Sequence, residues 1–555
     1  MATESSRMPS DPKLYLQANI PWSEPAWYRS GNSVYLNASH RKIRDNIRKY
    51  VDKNILPHSL EWEQKGEVPR SAALSYCKSG IPFEDVPEQF RPEDIPNLAE
   101  IPQNELDAFH FLISTDEMAR VEGGVSIALG GASTIGLPPV LHHGTQEQKS
   151  RWFPGLFSGR VNFCLGITEP GGGSDVANIQ TTAEKSPDGK FYVVNGAKKW
   201  ITGALWATHM TTAVRTGGQG AKGLTVLVIP LDSPGVCRRK IFNSGQNAGG
   251  SSFVDLEDVQ VPVENRLGLE NEGFGIIMKN FNKERFALAV GCNRKSRTCL
   301  AMAFAYALER KTFGKKLIEN QVIGRKLAEL AHRIEAHWAW LEQIAFQVNS
   351  SSAGWQTPNI ASQIALAKIQ GGQTLELACR EAQQVFGGAG YQKGGRGATV
   401  EQISRDLRMF AIAEIFASRV RGWDSNLGFQ PPRKIGNRPE QPNRQVLRQS
   451  TQHGWTDFGN VVDLPSTRQG EEEFKIEGSV NGIGDQRDVK LSNVIPDVAF
   501  NMTEDKTTEN TAADTVYMKF GCPGPADWVL DWGADCIAIE CFCEGDLECL
   551  PGIPT

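Results

Sequence analysis

The apolar residues of this chain change period twice, and that change constrains the fold more than any single motif. Between Ser39 and Ile55, the positions Ile43, Ile47, Tyr50 and Val51 follow helical spacing, with Pro57 ending the run. Phe109, Leu112, Ile113 and Met118 do the same between Glu105 and Glu122. From Val161 to Leu269 the period falls to two, and Thr211–Val214, Leu224–Ile229 and Phe253–Val261 read as strands separated by Gly and Asn. From Met278 the helical period returns. Its clearest run is Ile323, Leu327, Leu330, Ile334, Trp338, Leu341 and Ile344, the stripe of a helix packed in a bundle core. The prediction is an α+β multidomain chain: an N-terminal helical domain (34–160), a central β-barrel or sandwich domain (161–275) and a C-terminal four-helix bundle (276–430). Residues 1–33 read as a polar arm, and 80–104, rich in prolines and acids, as a surface excursion. Thr145 with Gln148 three residues on forms a capping-box pattern. The adjacent His142-His143 has no Cys or carboxylate cluster nearby and reads as loop, so no metal site is expected.

Composition narrows the partners. A net charge of −5 over 555 residues gives no basic footprint for nucleic acid. No apolar run approaches the roughly 20 residues of a membrane span. Met1–Lys13 lacks an apolar signal core, and Ile553-Pro554-Thr555 is not a peroxisomal ending. The eleven irregularly spread cysteines suit a reduced, intracellular protein, with cytoplasm, peroxisome and mitochondrion left open. Residues 431–555 lose the amphipathic period and read as a disordered or unusual appended tail. The spacing of Cys536, Cys541, Cys543 and Cys549 there matches no zinc pattern.

The stretch from Leu165 to Thr202 carries the first chemistry. An apolar strand ends in Thr168-Glu169-Pro170 and opens into Gly171-Gly172-Gly173, followed by Ser174. Glycines permit positive φ and close backbone approach to a ligand. The next strand is expected to turn at Asn195-Gly196 and return with Trp200 and Thr202 on one face. Hydroxyls of Thr168, Ser174 and Thr202 beside the flat ring of Trp200 suit a planar heteroaromatic ligand. The segments I-T-E-P-G-x-G-S-D (Ile167–Asp175) and K-x-W-I-T (Lys198–Thr202) resemble the flavin-binding β-domain of acyl-CoA dehydrogenases. The resemblance implies that Thr168, Trp200, Ile201 and Thr202, with Leu165 and Ile167 beside them, line an FAD ring, and that Ser174 lies near an acyl-CoA.

Oxidising a thioester at its α,β bond needs a base for the α-proton and a redox cofactor for the β-hydride, because no side chain accepts a hydride. Phe281-Asn282-Lys283-Glu284-Arg285-Phe286 offers one carboxylate early in a helix. It resembles the family's acyl-CoA-lining helix, which implies Glu284 as base and Asn282 and Arg285 as substrate contacts. A second carboxylate, Glu414, stands eight residues after Asp406, where another branch of the family carries its base. There the usual Glu-Gly-Thr is replaced by Glu414-Ile415-Phe416, and the altered turn favours Glu284. Two more segments match: Tyr306 to Lys315 with Gln321, and Gln384-Val385-Phe386-Gly387-Gly388-Ala389-Gly390-Tyr391. They imply that Arg310, Thr312, Phe313, Gln321, Gln384, Gly387 and Gly388 hold the FAD of a neighbouring subunit, hence a homodimer or homotetramer. The resemblance spans about residues 36–419, with fungal-type members the most similar. It implies α,β-dehydrogenation of an acyl-CoA to the trans-2-enoyl-CoA, with an electron-transfer protein or oxygen as acceptor. The alternatives left open are an acyl-CoA oxidase-like flavoenzyme and a flavin- or CoA-binding member without turnover.

Overall fold

A computed structural model describes residues 20–130, 133–357 and 359–413, together with three short strands between 519 and 543. Glu414 and most of the tail lie outside the described residues. The chain forms two units, Met1–Gly436 and Asn437–Thr555. The second carries an antiparallel meander, Lys519–Gly521, Ala526–Gly533 and Cys536–Cys543.

The first unit begins with nine helices among the described residues. They are α1 (Ala26–Ser30), α2 (Ala38–Asn54), α3 (Ser59–Lys65), α4 (Arg70–Lys78), α5 (Ala108–Met118), α6 (Val125–Gly130), α7 (Ser133–Gly136), α8 (Pro138–His143) and α9 (Gln146–Phe157). Asn37 and Asp107 cap α2 and α5, and each cap is closed by a histidine at the third helical position. The amide of Asn37 donates to His40 Nδ1 (3.0 Å) and that of Asp107 to His110 Nδ1 (3.2 Å). The two caps are cross-wired: His40 Nε2 meets Asp107 Oδ1 at 3.1 Å, and His110 Nε2 meets Ser39 Oγ at 3.1 Å. Among the described residues, His40, Asp107 and His110 are the one cluster with metal-ligand chemistry, and their ring nitrogens are committed to these caps.

Residues 20–33 are not an arm. Trp27, Ser23 and Glu24 are buried, and Glu24 takes a hydrogen bond from Arg294 at 3.1 Å. Residues 80–104 form four short 3₁₀ turns that bury Ile81, Phe83, Val86, Ile95, Leu98 and Ile101. Their apolar residues follow no single period, so the segment looked like surface.

The β-domain is one eight-stranded sheet: β1 (Phe163–Gly166), β2 (Thr182–Lys185), β3 (Phe191–Ile201), β4 (His209–Arg215), β5 (Leu224–Pro230), β6 (Val236–Lys240), β7 (Ser252–Pro262) and β8 (Arg266–Leu267). The order is β6-β7-β3-β2-β4-β5-β8, with β1 parallel to β4. The expected turn at Asn195-Gly196 does not form. β3 runs straight through it, with a register shift between Val194 and Gly196 and Gly196 at φ 149°. The Asn195 side chain bonds across to Asp258 on β7 (3.0 and 2.8 Å), and this pairing outcompetes a turn. The β2–β3 reversal lies instead at Pro187-Asp188-Gly189, where Gly189 takes φ 72°.

The chain then enters α10 (Gly273–Glu309), a helix of 37 residues and about 55 Å. It is followed by the two-strand hairpin β9 (Lys311–Thr312) and β10 (Lys315–Lys316), then α11 (Gln321–Asn349), α12 (Ile360–Phe386) and α13 (Ala398–Ile412). α10 joins three cores in turn. Ile277 and Phe281 pack with α9 and the sheet, Phe286 and Val290 with α2 and α5, and Cys299 and Met302 with the other bundle helices. Its buried polar middle carries ion pairs: Arg294 Nε donates to Asp116 at 2.8 Å, and Arg294 also pairs with Glu24, which Arg48 of α2 bridges to Glu117.

Candidate active site

The loop after β1 is built on a buried ion pair. The carboxylate of Glu169, 6 % exposed, receives Lys198 Nζ at 2.7 Å, Thr181 N at 2.9 Å, Thr181 Oγ1 at 2.5 Å and Gln180 N at 2.5 Å. Lys198, fully buried on β3, also donates to the carbonyls of Ile167 and Ala213. Burial alone would raise the Glu169 carboxyl, but Lys198 and the Gln180 amide outweigh it and hold it below the usual carboxylate range. Burial pushes the Lys198 ammonium down to about 8 against the pull of Glu169.

This pair fixes Glu169 beneath a reversal in which Glu169 N donates to Gly172 O at 2.9 Å. Gly171, Gly172 and Gly173 do not use positive φ; what they provide is room. A Cβ on Gly171 would meet nothing within 4 Å, and one on Gly173 would touch only Thr168 Cγ2 at 3.9 Å. Ser174 stands exposed at the end of the loop.

The amide of Lys199 donates to Thr168 O at 2.9 Å, so Leu165, Ile167 and Thr168 lie beside Trp200, Ile201 and Thr202. Trp200 breaks the expected alternation. It sits at φ 64°, a region a bulky side chain rarely enters, and its indole remains 50 % exposed. Strand β3 ends one residue later at Ile201, and Gly203 N is held by Gly249 O at 2.9 Å. An exposed ring presented by strained backbone beside an open glycine loop and two threonines fits a flat heteroaromatic group that stacks and accepts hydrogen bonds. The residues present therefore fit a flavin ring.

Glu284 is tied to the sheet through α7. Asn280, one turn before it on α10, donates to Glu284 Oε1 and, at 3.3 Å, to the carbonyl of Ile135. On its other side α7 is locked to the sheet: Ser133 Oγ accepts from Phe163 N (3.1 Å) and Gly136 O from Thr211 Oγ1 (2.6 Å). The glutamate's helix and the strand leading to Thr168 thus share one short spacer. Arg285 is buried with its guanidinium 5.3 Å from the Phe281 ring. Asn282 is also buried. Two residues before Glu284, it faces the other side of α10, and its amide donates to Trp355 O at 3.1 Å, pinning the turn before α12. Asn280 is a neutral amide outside the matching motif, and only its spacing of four from Glu284 marks it in the sequence.

The remaining predicted residues gather at one end of the bundle. Tyr306 stacks on Phe386 at 4.5 Å, bringing the ends of α10 and α12 together. Arg310 follows α10 and Thr312 lies on β9. Phe313 and Gly314 form the two-residue hairpin loop at φ 51° and 78°. The Phe313 ring is fully exposed. Gln321 opens α11, Gln384 is exposed near the end of α12, and Gly387 turns the chain at φ 60° beside exposed Gly388. Arg310 lies about 39 Å along α10 from Glu284, so these residues do not meet the Thr168–Trp200 cluster of their own chain.

Family models match the three parts in order: the acyl-CoA dehydrogenase N-terminal domain over residues 37–160, the middle domain over 164–259 and the C-terminal domain over 271–414. The acyl-CoA dehydrogenase AFT10-1 of Alternaria alternata is 41% identical over 406 residues, 72% of this chain and 93% of that one. The acyl-CoA dehydrogenase apdG of Emericella nidulans is 39% identical over 397 residues, 70% of this chain and 91% of its own. Among solved structures, a probable acyl-CoA dehydrogenase from Mycobacterium abscessus is similar with a TM-score of 0.61 and 32% identity, covering 68% of this chain and 96% of that one. Sheet, bundle and motif order agree with these matches: the chain belongs to the acyl-CoA dehydrogenase family, oxidoreductases that act on the CH–CH group of an acyl-CoA.

Proposed function

We propose that this chain is an FAD-dependent acyl-CoA dehydrogenase that forms the trans-2-enoyl-CoA, with Glu284 as the base. The observation that carries the reading is the half-buried Glu284 carboxylate, tied through Asn280 and α7 to β1, the strand that leads to Thr168. Trp200, Thr168 and Thr202 would hold the flavin ring, and Ser174 and Arg285 the thioester. When bound, FAD supplies the hydride acceptor that the protein lacks. Glu284 takes the α-proton as the β-hydrogen leaves with its electron pair, and the α C–H electrons become the new double bond. Ile277 and Phe281, on the preceding turns of α10, are buried in the core that packs against α9 and the sheet. The distance between Glu284 and Arg310 supports a homo-oligomer in which Arg310, Thr312, Gln321, Gln384, Gly387 and Gly388 grip the diphosphate side of a neighbour's cofactor.

The test is an anaerobic visible spectrum titrated with short, branched and long acyl-CoAs. Glu284→Gln is expected to retain flavin yet never bleach, while Glu414→Gln still bleaches. Full bleaching in Glu284→Gln overturns the assignment of the base. Hydrogen peroxide released in step with substrate use would identify oxygen as the acceptor.

A further inference from the structure

We infer that Asn280 is a positioning residue for the base, an inference that rests on the reading of Glu284 above. Its side chain is 8 % exposed, and both protons of its amide nitrogen are spoken for. One goes to the Ile135 carbonyl, whose position is fixed because α7 is bonded to the sheet at both ends. That bond orients the amide plane, since only the nitrogen can face a carbonyl. The second proton then points along the helix to Glu284 Oε1.

Oε1 of the carboxylate is held by the amide. A glutamate side chain carries three torsions, and a base within reach of a C–H bond gains most from having them fixed before substrate arrives. Asn280 restrains them from one turn away, and through Ile135 it ties the carboxylate to α7, which is bonded to the strand leading to Thr168. The base and the ring-facing threonine therefore share one rigid frame.

The experiment measures the limiting rate of flavin reduction at saturating acyl-CoA, and separately the dissociation constant from the flavin spectral shift. Asn280→Ala and Asn280→Ser are compared with Glu284→Gln and with the double variant Asn280→Ala/Glu284→Gln. The expected result is reduction slowed on the order of 10- to 100-fold in Asn280→Ala, with flavin content unchanged and the dissociation constant within about twofold. Asn280→Ser, whose hydroxyl is a shorter donor, should recover part of the rate. The double variant should match Glu284→Gln in flavin content and acyl-CoA dissociation constant, because a positioning residue has nothing left to position. Unchanged reduction in Asn280→Ala while Glu284→Gln is dead overturns the role of Asn280 alone. A rate loss matched by equal weakening of substrate binding and loss of flavin also overturns it, as a general packing effect. Normal reduction in Glu284→Gln overturns the base assignment instead.

Discussion

Glu169 and Lys198 form an ion pair at 2.7 Å, 6 % and 0 % exposed, directly beneath the glycine loop. Removing one partner strands the other charge out of water. Glu169→Gln should therefore destabilise the protein by about 3–5 kcal/mol, read as a shift of the denaturant midpoint, and lower flavin retention. The double change Glu169→Leu/Lys198→Met should regain only part of this. The Gln180 and Thr181 amides would still lack the acceptor that Glu169 gives them.

A methyl group on Gly136 should break the spacer between helix and sheet. Helix propensity favours alanine there, but its Cβ would stand 2.6 Å from the backbone carbonyl of Cys164 on β1. Gly136→Ala should cost about 1–3 kcal/mol and slow flavin reduction, because the displaced Ile135 carbonyl carries Asn280 with it. Thermal unfolding and stopped-flow reduction would check both.

The protein should lose stability in mild acid through His337. This ring is fully buried and neutral: Nε2 donates to Ala367 O at 2.9 Å, and Nδ1 accepts from Asn293 Nδ2 at 3.2 Å. Burial pushes its pKa down to about 4. The unfolded chain binds this proton near pH 6.5, the folded chain only near 4, so stability present above 6.5 is lost as the pH falls through that window. The loss attributable to His337 is about 2 kcal/mol between pH 7 and 5. Comparing urea unfolding of His337→Gln with the parent at both values isolates it, since the other titrating groups are common to the pair.

Phe313→Ala should leave the folded protomer within about 0.5 kcal/mol of the parent, because the ring touches nothing in its own chain. On the proposed assembly it should nonetheless lower the flavin-to-protein ratio and shift the oligomer toward smaller species, measured by absorbance and light scattering. Unchanged values for both would remove the case for a neighbour at this end of the bundle.

The sequence made the order of helical and β parts legible because period survives local irregularity. Ile43, Ile47 and Val51 on α2 and the long stripe of α11 lie where their spacing predicts. It misled at Asn195-Gly196, since a dipeptide signal carries no knowledge of Asp258 sixty-three residues away. Residues 81–101 misled for the opposite reason: many apolar residues, none in a repeating pattern. At the site, the motif residues around Thr168 and Trp200 were visible as types in order. The strained φ of Trp200, the open space over Gly171 and the tie between Asn280 and Ile135 exist only once distant segments have packed.

The crossed caps of α2 and α5 carry a consequence for motion. Helix ends usually fray independently. Here the first turn of α2 cannot open without freeing His40 from Asp107, and the first turn of α5 cannot open without freeing His110 from Ser39. The amides of Ser39 and His40 should therefore exchange with deuterium at the same rate as those of Phe109 and His110, as one opening unit. Two segments some seventy residues apart thus share one threshold for local unfolding.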